Sequence, residues 1–531
     1  MRYCLFCLLL LSTFAPLSAQ QTHPNLLLII ADDLGVDRLK GYHDGALMAT
    51  TPTLDSLRNV GITFTNAFAA PVCSPTRAAI MSGKYGVNNG VGGVPGNLDL
   101  VHTSVFKELD TRTNSAYADA VIGKWHLSQP VDNDHPNNHG ADHFMGVMEG
   151  SPGDYSDWTR VENGVSTQST EYVTTALTDG ALDWVNDQTQ PWFLWLAHPA
   201  PHSPFHVPPA GLFTIENTDS EVNQYIAMVE SVDHEINRLL NGLSDSVRAN
   251  TLIIFVGDNG TPRRLMQDYP DGRGKGTLYQ GGVRVPFIVS GAGVTRQGER
   301  EDALVHLTDI HATLLEVAGA DLPGGIYNSH SFAHLLSLGS TEATRDYNYT
   351  EVTSGNAPGW TIRNRRYKLI DFENGRQEFY NLEVDSFELA DLLSAPLSDE
   401  AAAAKSDLET EAAAIRNGWS CRDHIQNGTE TGIDCGTDAC GTCTTSTTQI
   451  NQALALELYP NPVREQLTVS VEDQVIEAVR VFDGRGRLLT ERSGNQTRRV
   501  TLNVGDLKAR LLLVEVTTAE GVAVKKVVKQ H

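Results

Sequence analysis

Four apolar runs within residues 25–260 each end in polar or charged side chains, and this pattern constrains the fold more than any other feature. The runs are "NLLLIIADD", "AVIGKWHL", "PWFLWLAHPAPH" and "TLIIFVGDNG". Continuous apolar runs are typical of parallel strands buried on both faces. Ligands of open α/β sheets bind beyond the carboxyl ends of such strands, so we expect one site built from four distant segments. The polar residues at the four ends are Asp32 and Asp33, Lys124 and His126, His198 and His202, and Asp258 and Asn259.

Strand-like and helix-like segments alternate over residues 24–415, which predicts an α/β domain with a large mixed, mainly parallel sheet sandwiched by helices. A smaller α+β part follows, and its helix formers predict a terminal helix that ends at Gly418. Short alternating strands with turn signals such as "DGRGR" predict a small β-sandwich at the C-terminus. The expected boundaries are a signal peptide at 1–20, a large N-terminal domain at 21–309, a C-terminal subdomain at 310–418, a Cys/Gly-rich linker at 419–450 and the sandwich at 451–531.

Residues 1–20 open with Arg2, continue through an apolar run and end near small residues, which is typical of a secretory signal. That run is too short for a membrane span, and no later stretch is apolar enough, so we expect an exported protein without a transmembrane segment. The formal charge of −25 argues against nucleic acid or acidic membranes as partners. An anionic substrate would therefore need a local basic pocket.

The seven cysteines divide unevenly along the chain. Cys4 and Cys7 belong to the leader, and Cys73 stands alone. Cys421, Cys435, Cys440 and Cys443 crowd into one short segment, where the exported context favours two disulfides over a zinc site. A lone cysteine such as Cys73 indicates either a reactive or modified thiol or an inert buried side chain.

The strand ends offer a set of oxygen ligands together with cations and histidines. Asp32, Asp33, Asp258 and Asn259 suit a hard cation such as Ca²⁺ or Mg²⁺ better than zinc, although surface turns and helix N-caps also explain paired acids. Fixed positive charge for an anion would come from Arg77, Lys124 and Lys275. The histidines add general acid/base capacity, with a structural role as the alternative.

The segment "CSPTR" at 73–77 matches the C-x-P-x-R signature of formylglycine-dependent sulfatases, and "AAIMSGKYGVNNGV" resembles that family's continuation of it. Other landmarks of the family occur in the expected order over about residues 24–395: "PNLLLIIADDLG", "GKWHL", "PHSPF", "GDNG", "GKGTLYQGGVRVPFIV" and "EFYNLEVDSFELADLL". The resemblance implies a fold of the alkaline phosphatase superfamily and a secreted enzyme that hydrolyses sulfate esters of a carbohydrate.

The resemblance also implies a role for each residue of the site. Cys73 would be oxidised by a formylglycine-generating or sulfatase-maturating enzyme to Cα-formylglycine, whose hydrated aldehyde is the nucleophile. That side chain would share Ca²⁺, with Mg²⁺ as the alternative, with the four oxygen ligands. The remaining roles are assigned as follows: Arg77 and His126 bond the nucleophile, Lys124 bridges nucleophile and sulfate, and His202 and Lys275 bind the sulfate. His202 is the first candidate for general acid and His126 for the base. A serine that touches the nucleophile in the family has no match that we can place.

The tail "LYPNP" resembles type IX secretion sorting domains, which implies the type IX machinery as a partner and a secreted or outer-surface location. Two alternatives to a sulfatase are a phosphomonoester or phosphonate ester hydrolase of the same superfamily and an inactive protein that binds sulfated glycans. Candidates for the sugar subsites are His135, His139, His143, Trp158, Arg160 and Arg263.

Overall fold

A computed structural model describes residues 23–418, with gaps at 130–131, 271, 321, 323–324, 338–343 and 356, and residues 456–529, with gaps at 472–474, 484–487, 506, 508–510 and 519–520. The predicted signal peptide and linker lie outside the described residues, as do the four clustered cysteines that we expect to form disulfides. The chain divides into two compact units, Met1–Gly428 and Thr429–His531. The finer domain boundaries stay predictions.

A ten-stranded mixed sheet forms the centre of the first unit. Its strands are β1 (Asn25–Ala31), β2 (Ile62–Phe68), β3 (Ala118–Lys124), β4 (His143–Val147), β5 (Trp158–Glu162), β6 (Val165–Ser169), β7 (Trp192–His198), β8 (Thr251–Gly257), β9 (Phe287–Gly291) and β10 (Glu299–His306). They follow the order β10-β2-β9-β8-β1-β7-β3-β4-β5-β6. The four runs with polar ends are the adjacent parallel strands β8, β1, β7 and β3, so their carboxyl ends meet at one edge as predicted.

Helices cover both faces of this sheet. They are α1 (Pro52–Val60), α2 (Cys73–Ser82), α3 (Gly86–Asn89), α4 (Val105–Thr113), α5 (His135–Asn138), α6 (Val173–Asn186), α7 (Glu221–Gly242), α8 (Asp245–Ala249), α9 (Gln280–Val283), α10 (Asp309–Val317) and α11 (Asp399–Arg416). Successive side chains of a strand point to opposite faces. Leu26 and Leu28 therefore pack in one core with α2, α4 and α10, whereas Leu27 and Ile29 pack in a second core with α1, α6 and α7. The predicted sandwich of a mainly parallel sheet between helices is confirmed.

A smaller antiparallel part completes the first unit. Its strands are β11 (Gly325–Ile326), β12 (Ser329–His330), β13 (Asn348–Val352), β14 (Gly359–Arg363), β15 (Tyr367–Phe372) and β16 (Gln377–Asn381). Strands β13 to β16 form a four-stranded sheet, against which α11 packs with Leu408 and Ala412. Helix α11 begins after Ser398, whose hydroxyl accepts a hydrogen bond from the Ala401 N–H at 3.2 Å. It ends before Gly418, which has a φ of +95°, as the sequence predicted.

The second unit consists of antiparallel strands. They are β17 (Leu456–Tyr459), β18 (Gln466–Val471), β19 (Ile476–Asp483), β20 (Leu488–Thr497), β21 (Arg499–Asn503), β22 (Leu511–Thr518) and β23 (Gly521–Val528). They form a three-stranded and a four-stranded sheet that share one core of mostly valine and leucine, as expected for a small sandwich. Among the described residues of both units, no helix combines the length and apolarity needed to cross a bilayer.

Candidate active site

The carboxyl ends of β1 and β8 bring the predicted oxygen ligands together in the interior. Asp32, Asp33, Asp258 and Asn259 are all buried. The ligand atoms of Asp32, Asp258 and Cys73 lie within 4.8 Å of one another. Oδ1 of Asp32 and Oδ1 of Asn259 have no hydrogen-bond partner among the described residues, although buried polar atoms are rarely left unpaired. This oxygen-rich set therefore fits a hard cation such as Ca²⁺.

Hydrogen bonds fix these side chains relative to one another. The Asp33 N–H donates to Oδ1 of Asp258 at 3.1 Å, and Nδ2 of Asn259 donates to Oδ1 of Asp33 at 2.8 Å. Asp33 has a φ of +66°, in the left-handed region that aspartate tolerates better than most residues. The Tyr225 hydroxyl donates to the Asp33 carbonyl at 2.8 Å, so the turn after β1 is held from both sides.

Helix α2 places Cys73 and Arg77 at this edge of the sheet. Cys73 is the first residue of the helix, and Pro75 lies within the first turn, where no intrahelical N–H is needed. Arg77 follows one turn later, so its side chain lies on the same face as Cys73. Its Nε and Nη2 donate to Oδ2 of Asp258 at 3.0 and 2.8 Å, and its Nη1 donates to the Lys124 carbonyl at 2.7 Å. The helix start is thereby fastened to the ends of β8 and β3.

The end of β3 brings His126 to the same place. Its Nδ1 lies 3.3 Å from the sulfur of Cys73, and its backbone has a φ of +58°. The His126 N–H donates to the Met148 carbonyl at 3.1 Å. A Cβ built on Gly150 would lie 2.7 Å from Cε1 of the His126 ring, so this position has no room for a side chain while the imidazole stays in place.

Three cations oppose the three carboxylates in this cluster. Lys124 donates to Oδ2 of Asp32, and both side chains are completely buried. Nζ of Lys275 lies 2.6 Å from Oδ1 of Asp33, and Arg77 binds Asp258. The formal charges of these six groups cancel, so a divalent cation would give the cluster a net positive charge, which favours binding of an anion.

Burial and neighbouring charges shift the pKa values of these carboxyl groups in opposite directions. Burial, reinforced by the charge of Asp32, raises the pKa of Asp258 to about 6, although Arg77 opposes the change. Burial alone would also raise the pKa of Asp32, but the charges of Lys124 and other nearby cations hold it well below its usual range. Asp32 is therefore the carboxylate that stays ionised most firmly.

Burial also decides the protonation of His126 and Cys73. It lowers the pKa of His126 to about 2, and Lys124 adds to the effect, so the imidazole is neutral at neutral pH. Burial raises the pKa of the Cys73 thiol. The environment of Cys73 does not favour the thiolate that cysteine nucleophiles use.

His202 and Lys275 lie on the more open side of the cluster, with side chains 18% and 20% exposed. Nδ1 of His202 lies 2.7 Å from the Ser203 carbonyl, which can only accept, so Nδ1 carries the proton. Nε2 faces Oδ2 of Asp33 at 3.8 Å. The Tyr155 hydroxyl donates to the His202 carbonyl at 2.7 Å and holds this loop in place.

The structure brings together nearly all residues that the strand ends and motifs singled out. The residues in one cluster are Asp32, Asp33, Cys73, Arg77, Lys124, His126, His202, Asp258, Asn259 and Lys275. His198 is not among them: neither ring nitrogen has a partner, and the charge that acts on it comes from Arg238 of α7.

Three of the six guesses for sugar subsites are wrong, because His135, His139 and Trp158 are buried. The indole N–H of Trp125 donates to His135 at 3.1 Å, and His139 lies 3.1 Å from the Leu98 carbonyl. The other three candidates are at least partly exposed to solvent. Their contacts are as follows: His143 lies beside Asn163, Arg160 pairs with Glu162, and Arg263 donates to the carbonyls of Lys275 and Gly276.

Comparison with known proteins agrees with this geometry. The model of the sulfatase family matches residues 24–320, which include every residue of the cluster. The chain belongs to the sulfatase family. Residues 273–416 match the C-terminal region of N-sulphoglucosamine sulphohydrolase, and residues 457–530 match the secretion system C-terminal sorting domain.

This sulfatase resembles several characterised proteins at moderate identity. It is 30% identical to arylsulfatase J of Mus musculus over 336 residues, which cover 57% of this chain and 53% of that protein. It is 29% identical to N-acetylgalactosamine-6-sulfatase of Homo sapiens over 343 residues, covering 56% and 63%. The chain thus spans between half and two thirds of the length of these relatives.

A solved structure of Ps i-CgsB in complex with k-i-k-neocarrahexaose superposes with a TM-score of 0.62 and 26% identity, covering 74% of this chain and 93% of that one. The large mixed sheet with a smaller C-terminal part is the alkaline phosphatase-like fold that we expected.

The sequence analysis missed four residues that contact this site, and three of the four had no signal in the sequence. Gly150 lies against His126, Tyr155 and Tyr225 hold the carbonyls of His202 and Asp33, and the Ser74 hydroxyl donates to the His126 carbonyl at 2.8 Å. Ser74 alone had a sequence signal, since it follows Cys73 directly in the C-x-P-x-R signature.

Proposed function

We propose that this chain is a secreted sulfatase that hydrolyses sulfate esters of a sulfated carbohydrate, with Cys73 as the precursor of formylglycine and Ca²⁺ as the bound cation. The single observation that carries the proposal is the convergence on Cys73. Carboxylate oxygens of Asp32 and Asp258 lie within 4.8 Å of its sulfur, and the cations Arg77, Lys124 and Lys275 pair with the aspartates of the same cluster.

The cation would be held by Asp32, Asp33, Asp258 and Asn259 together with the converted side chain of residue 73. Bound there, it would supply Lewis-acid neutralisation of a sulfate oxygen and of the developing nucleophile. Hydrogen bonds keep these ligands oriented: Arg77 donates two to Oδ2 of Asp258, and the Asp33 N–H donates one to Oδ1 of the same carboxylate.

The state of Cys73 favours a precursor over a thiol nucleophile, because burial raises the pKa of its thiol. A formylglycine at this position would supply a hydrated aldehyde with two hydroxyls: one would attack sulfur and expel the alcohol, and loss of the proton from the other would re-form the aldehyde and release sulfate, a route that serine lacks. Conversion needs an oxidising maturation enzyme, which we infer as a partner of this chain.

Arg77, Lys124 and Lys275 would hold the negative charge of the sulfate ester and of the transition state. Such preorganised cations act strongly in a buried site, where water does not compete. Lys124 and Arg77 are fully buried, whereas Lys275 is 20% exposed. Solvent exposure therefore increases toward Lys275, and we expect the anion to enter the site from that side.

The two histidines would divide the proton transfers. We assign to His126 the proton of a hydroxyl at residue 73 because of its position, since its Nδ1 lies 3.3 Å from the Cys73 sulfur; burial lowers its pKa, so the imidazole begins this step unprotonated. His202 would protonate the leaving alcohol as the imidazolium: its Nδ1–H is committed to the Ser203 carbonyl, so the proton that it gives must be the second one, on the Nε2 that is directed into the site.

The proposal that the substrate is a sulfated carbohydrate rests on two likenesses. One is to relatives named N-acetylgalactosamine-6-sulfatase, and the other is to a structure solved with k-i-k-neocarrahexaose. Export to the medium or the outer surface rests on the sorting-domain match at 457–530. The type IX machinery that the resemblance implies is part of the same proposal.

The test combines the chemistry of residue 73 with a substrate panel. Trypsin releases residues 59–77 as one peptide, and its mass in protein from the native host should show an aldehyde in place of the thiol. The same protein should hydrolyse an aryl sulfate and sulfated oligosaccharides. An intact thiol in active protein would overturn the mechanism, and activity on phosphate or phosphonate esters alone would favour the related hydrolases.

A further inference from the structure

Two neighbouring arginines near the site have very different surroundings. Nε of Arg264 lies 2.6 Å from Oε2 of Glu221, and its guanidinium lies 4.9 Å from the Phe205 ring. Arg263 is also exposed, yet it makes no ion pair among the residues that the structure describes.

The Arg263 guanidinium lies at the rim of the candidate active site. Its Nε donates to the Lys275 carbonyl at 3.0 Å, and its Nη2 donates to the Gly276 carbonyl at 3.3 Å. The side chain of the same Lys275 reaches Asp33 inside the cluster. The Gly276 N–H donates to the Pro71 carbonyl at 2.7 Å, two residues before Cys73. Arg263 therefore lies on the open side of the site, next to the segment that would bind sulfate.

The backbone around Arg263 is fixed to the loop that carries the oxygen ligands. Thr261 donates from its hydroxyl to Oδ1 of Asp37 at 2.5 Å. Nε of Arg38 donates to the Leu265 carbonyl at 2.8 Å, and both Asp37 and Arg38 are buried. The short helical turn Arg263–Leu265 is thus anchored on both sides, which positions the guanidinium before a ligand arrives.

The two hydrogen bonds of Arg263 to described residues use two of the five N–H donors of its guanidinium. Nε and Nη2 form one edge of the guanidinium, and the two backbone carbonyls occupy that edge. No described residue accepts from Nη1, so the edge formed by Nη1 and Nη2 can donate two parallel hydrogen bonds. This arrangement matches the oxygen pair of a carboxylate or sulfate.

We propose that Arg263 binds a second anionic group of the substrate, a carboxylate or a further sulfate, on the same saccharide as the ester that is cleaved. The inference rests on the proposed function and narrows its substrate class to saccharides with at least two acidic groups. Arg263 acts on specificity: it contacts substrate away from the reacting sulfur, so its removal should raise KM more than it lowers kcat.

The test compares Arg263→Ala and Arg264→Ala on three probes: 4-nitrophenyl sulfate, a disulfated disaccharide, and a monosulfated disaccharide that contains a uronic acid. For Arg263→Ala, we expect the loss of kcat/KM on at least one disaccharide to exceed its loss on 4-nitrophenyl sulfate by about ten-fold or more, since a charge-assisted contact is removed. Arg264→Ala should show no such difference, and Arg263→Lys should recover only part of it because lysine lacks the planar pair of donors. Which disaccharide responds identifies the second anion.

A difference below ten-fold on both disaccharides, or an equal difference in Arg264→Ala, overturns the inference. Binding of the same disaccharides to Cys73→Ala, measured by calorimetry with and without Arg263→Ala, separates the two proposals. If the wild type hydrolyses no sulfate ester while this binding still depends on Arg263, the proposed function fails and the anion site stands. If hydrolysis occurs and binding does not depend on Arg263, only the anion site fails.

Discussion

Two buried charge clusters in the first unit use the same residue types in different ways. In the four-stranded sheet, Lys368 and Glu388 are both completely buried and lie 2.6 Å apart. The second oxygen of Glu388 accepts from the Gln280 N–H at 2.6 Å, so both carboxylate oxygens are satisfied within the protein. In the candidate active site, Asp32 has one oxygen bound to Lys124 and one oxygen without a partner.

This difference indicates which buried charges stabilise the fold and which are arranged for a ligand. In the buried pair every carboxylate oxygen has a partner within the protein, whereas the unpaired oxygen of Asp32 leaves a position at which a ligand can bind. Removing charges from the Lys368–Glu388 pair should therefore affect stability, whereas removing groups from the active site should affect turnover. The predictions below test that contrast, beginning with the largest expected effect.

Cys73→Ala should lower turnover of an aryl sulfate by roughly 10⁵-fold, because the nucleophile is lost while the rest of the site remains. The thermal unfolding midpoint should change little, since alanine removes only one buried sulfur from the start of α2. Steady-state kinetics and calorimetry on the same preparation check both parts. Substantial turnover in the variant would contradict the role of Cys73.

Exhaustive chelation should abolish activity, and added Ca²⁺ should restore it. Ca²⁺ should also raise the unfolding temperature of the chelated protein, because a ligand that binds only the folded state stabilises it. Asn259→Leu removes one of the two unpaired oxygens, so its unfolding temperature should respond much less to Ca²⁺. Equal responses in wild type and variant would count against the oxygen ligands.

Glu388→Gln should destabilise the protein by about 3–5 kcal/mol, because it leaves the Lys368 ammonium buried without a counter-ion. The double variant Lys368→Met with Glu388→Leu should recover much of this loss. Denaturant unfolding measures both, and kcat per folded molecule should stay near the wild-type value. A variant that unfolds normally but loses turnover would show that this pair belongs to the catalytic machinery after all.

Gly150→Ala should lower kcat about 10–100-fold, because a Cβ 2.7 Å from the His126 ring must displace the imidazole. Gly153 in the same loop has open space around its Cβ position but a φ of +75°. Gly153→Ala should therefore reduce stability slightly and leave kcat almost unchanged. Stopped assays on an aryl sulfate, with melting temperatures for both variants, distinguish crowding of His126 from backbone strain.

The sequence predicted where the site lies, because parallel strands with polar ends bring those ends together. It did not predict that His198 lies outside the cluster, because the strand-end rule specifies the edge of a sheet but not the face. Leu194 and Leu196 pack against α6 and α7, and His198 follows with the same period of two.

The contact of Gly150 with His126 could not be predicted either, since it depends on how the chain after β4 crosses the end of β3. The wrong guesses at His135 and His139 have a related cause. Both lie between catalytic strands in the sequence, but they are used to pack around Trp125. Polarity in a loop indicates a subsite only when the loop faces the opening of the site.

The smallest predicted effect concerns a buried acid far from the site, at the opposite end of β3. Asp119 accepts from the Asp142 N–H at 2.8 Å, and burial raises its pKa to about 8 from an ordinary value of 3.8. Between these values the folded state keeps a proton that the unfolded state has released. This group therefore makes stability fall as pH rises from about 4 to 8, by at most about 1.4 kcal/mol per pH unit.

Asp119→Asn does not titrate, and its amide oxygen can still accept from Asp142. Relative to the wild type, the variant should match in stability near pH 4 and become steadily more stable as the pH rises toward 8, by no more than about 1.4 kcal/mol per pH unit. Denaturant unfolding across this range, with activity as the control, measures the difference. Curves that stay parallel would show that Asp119 is ionised in the folded state.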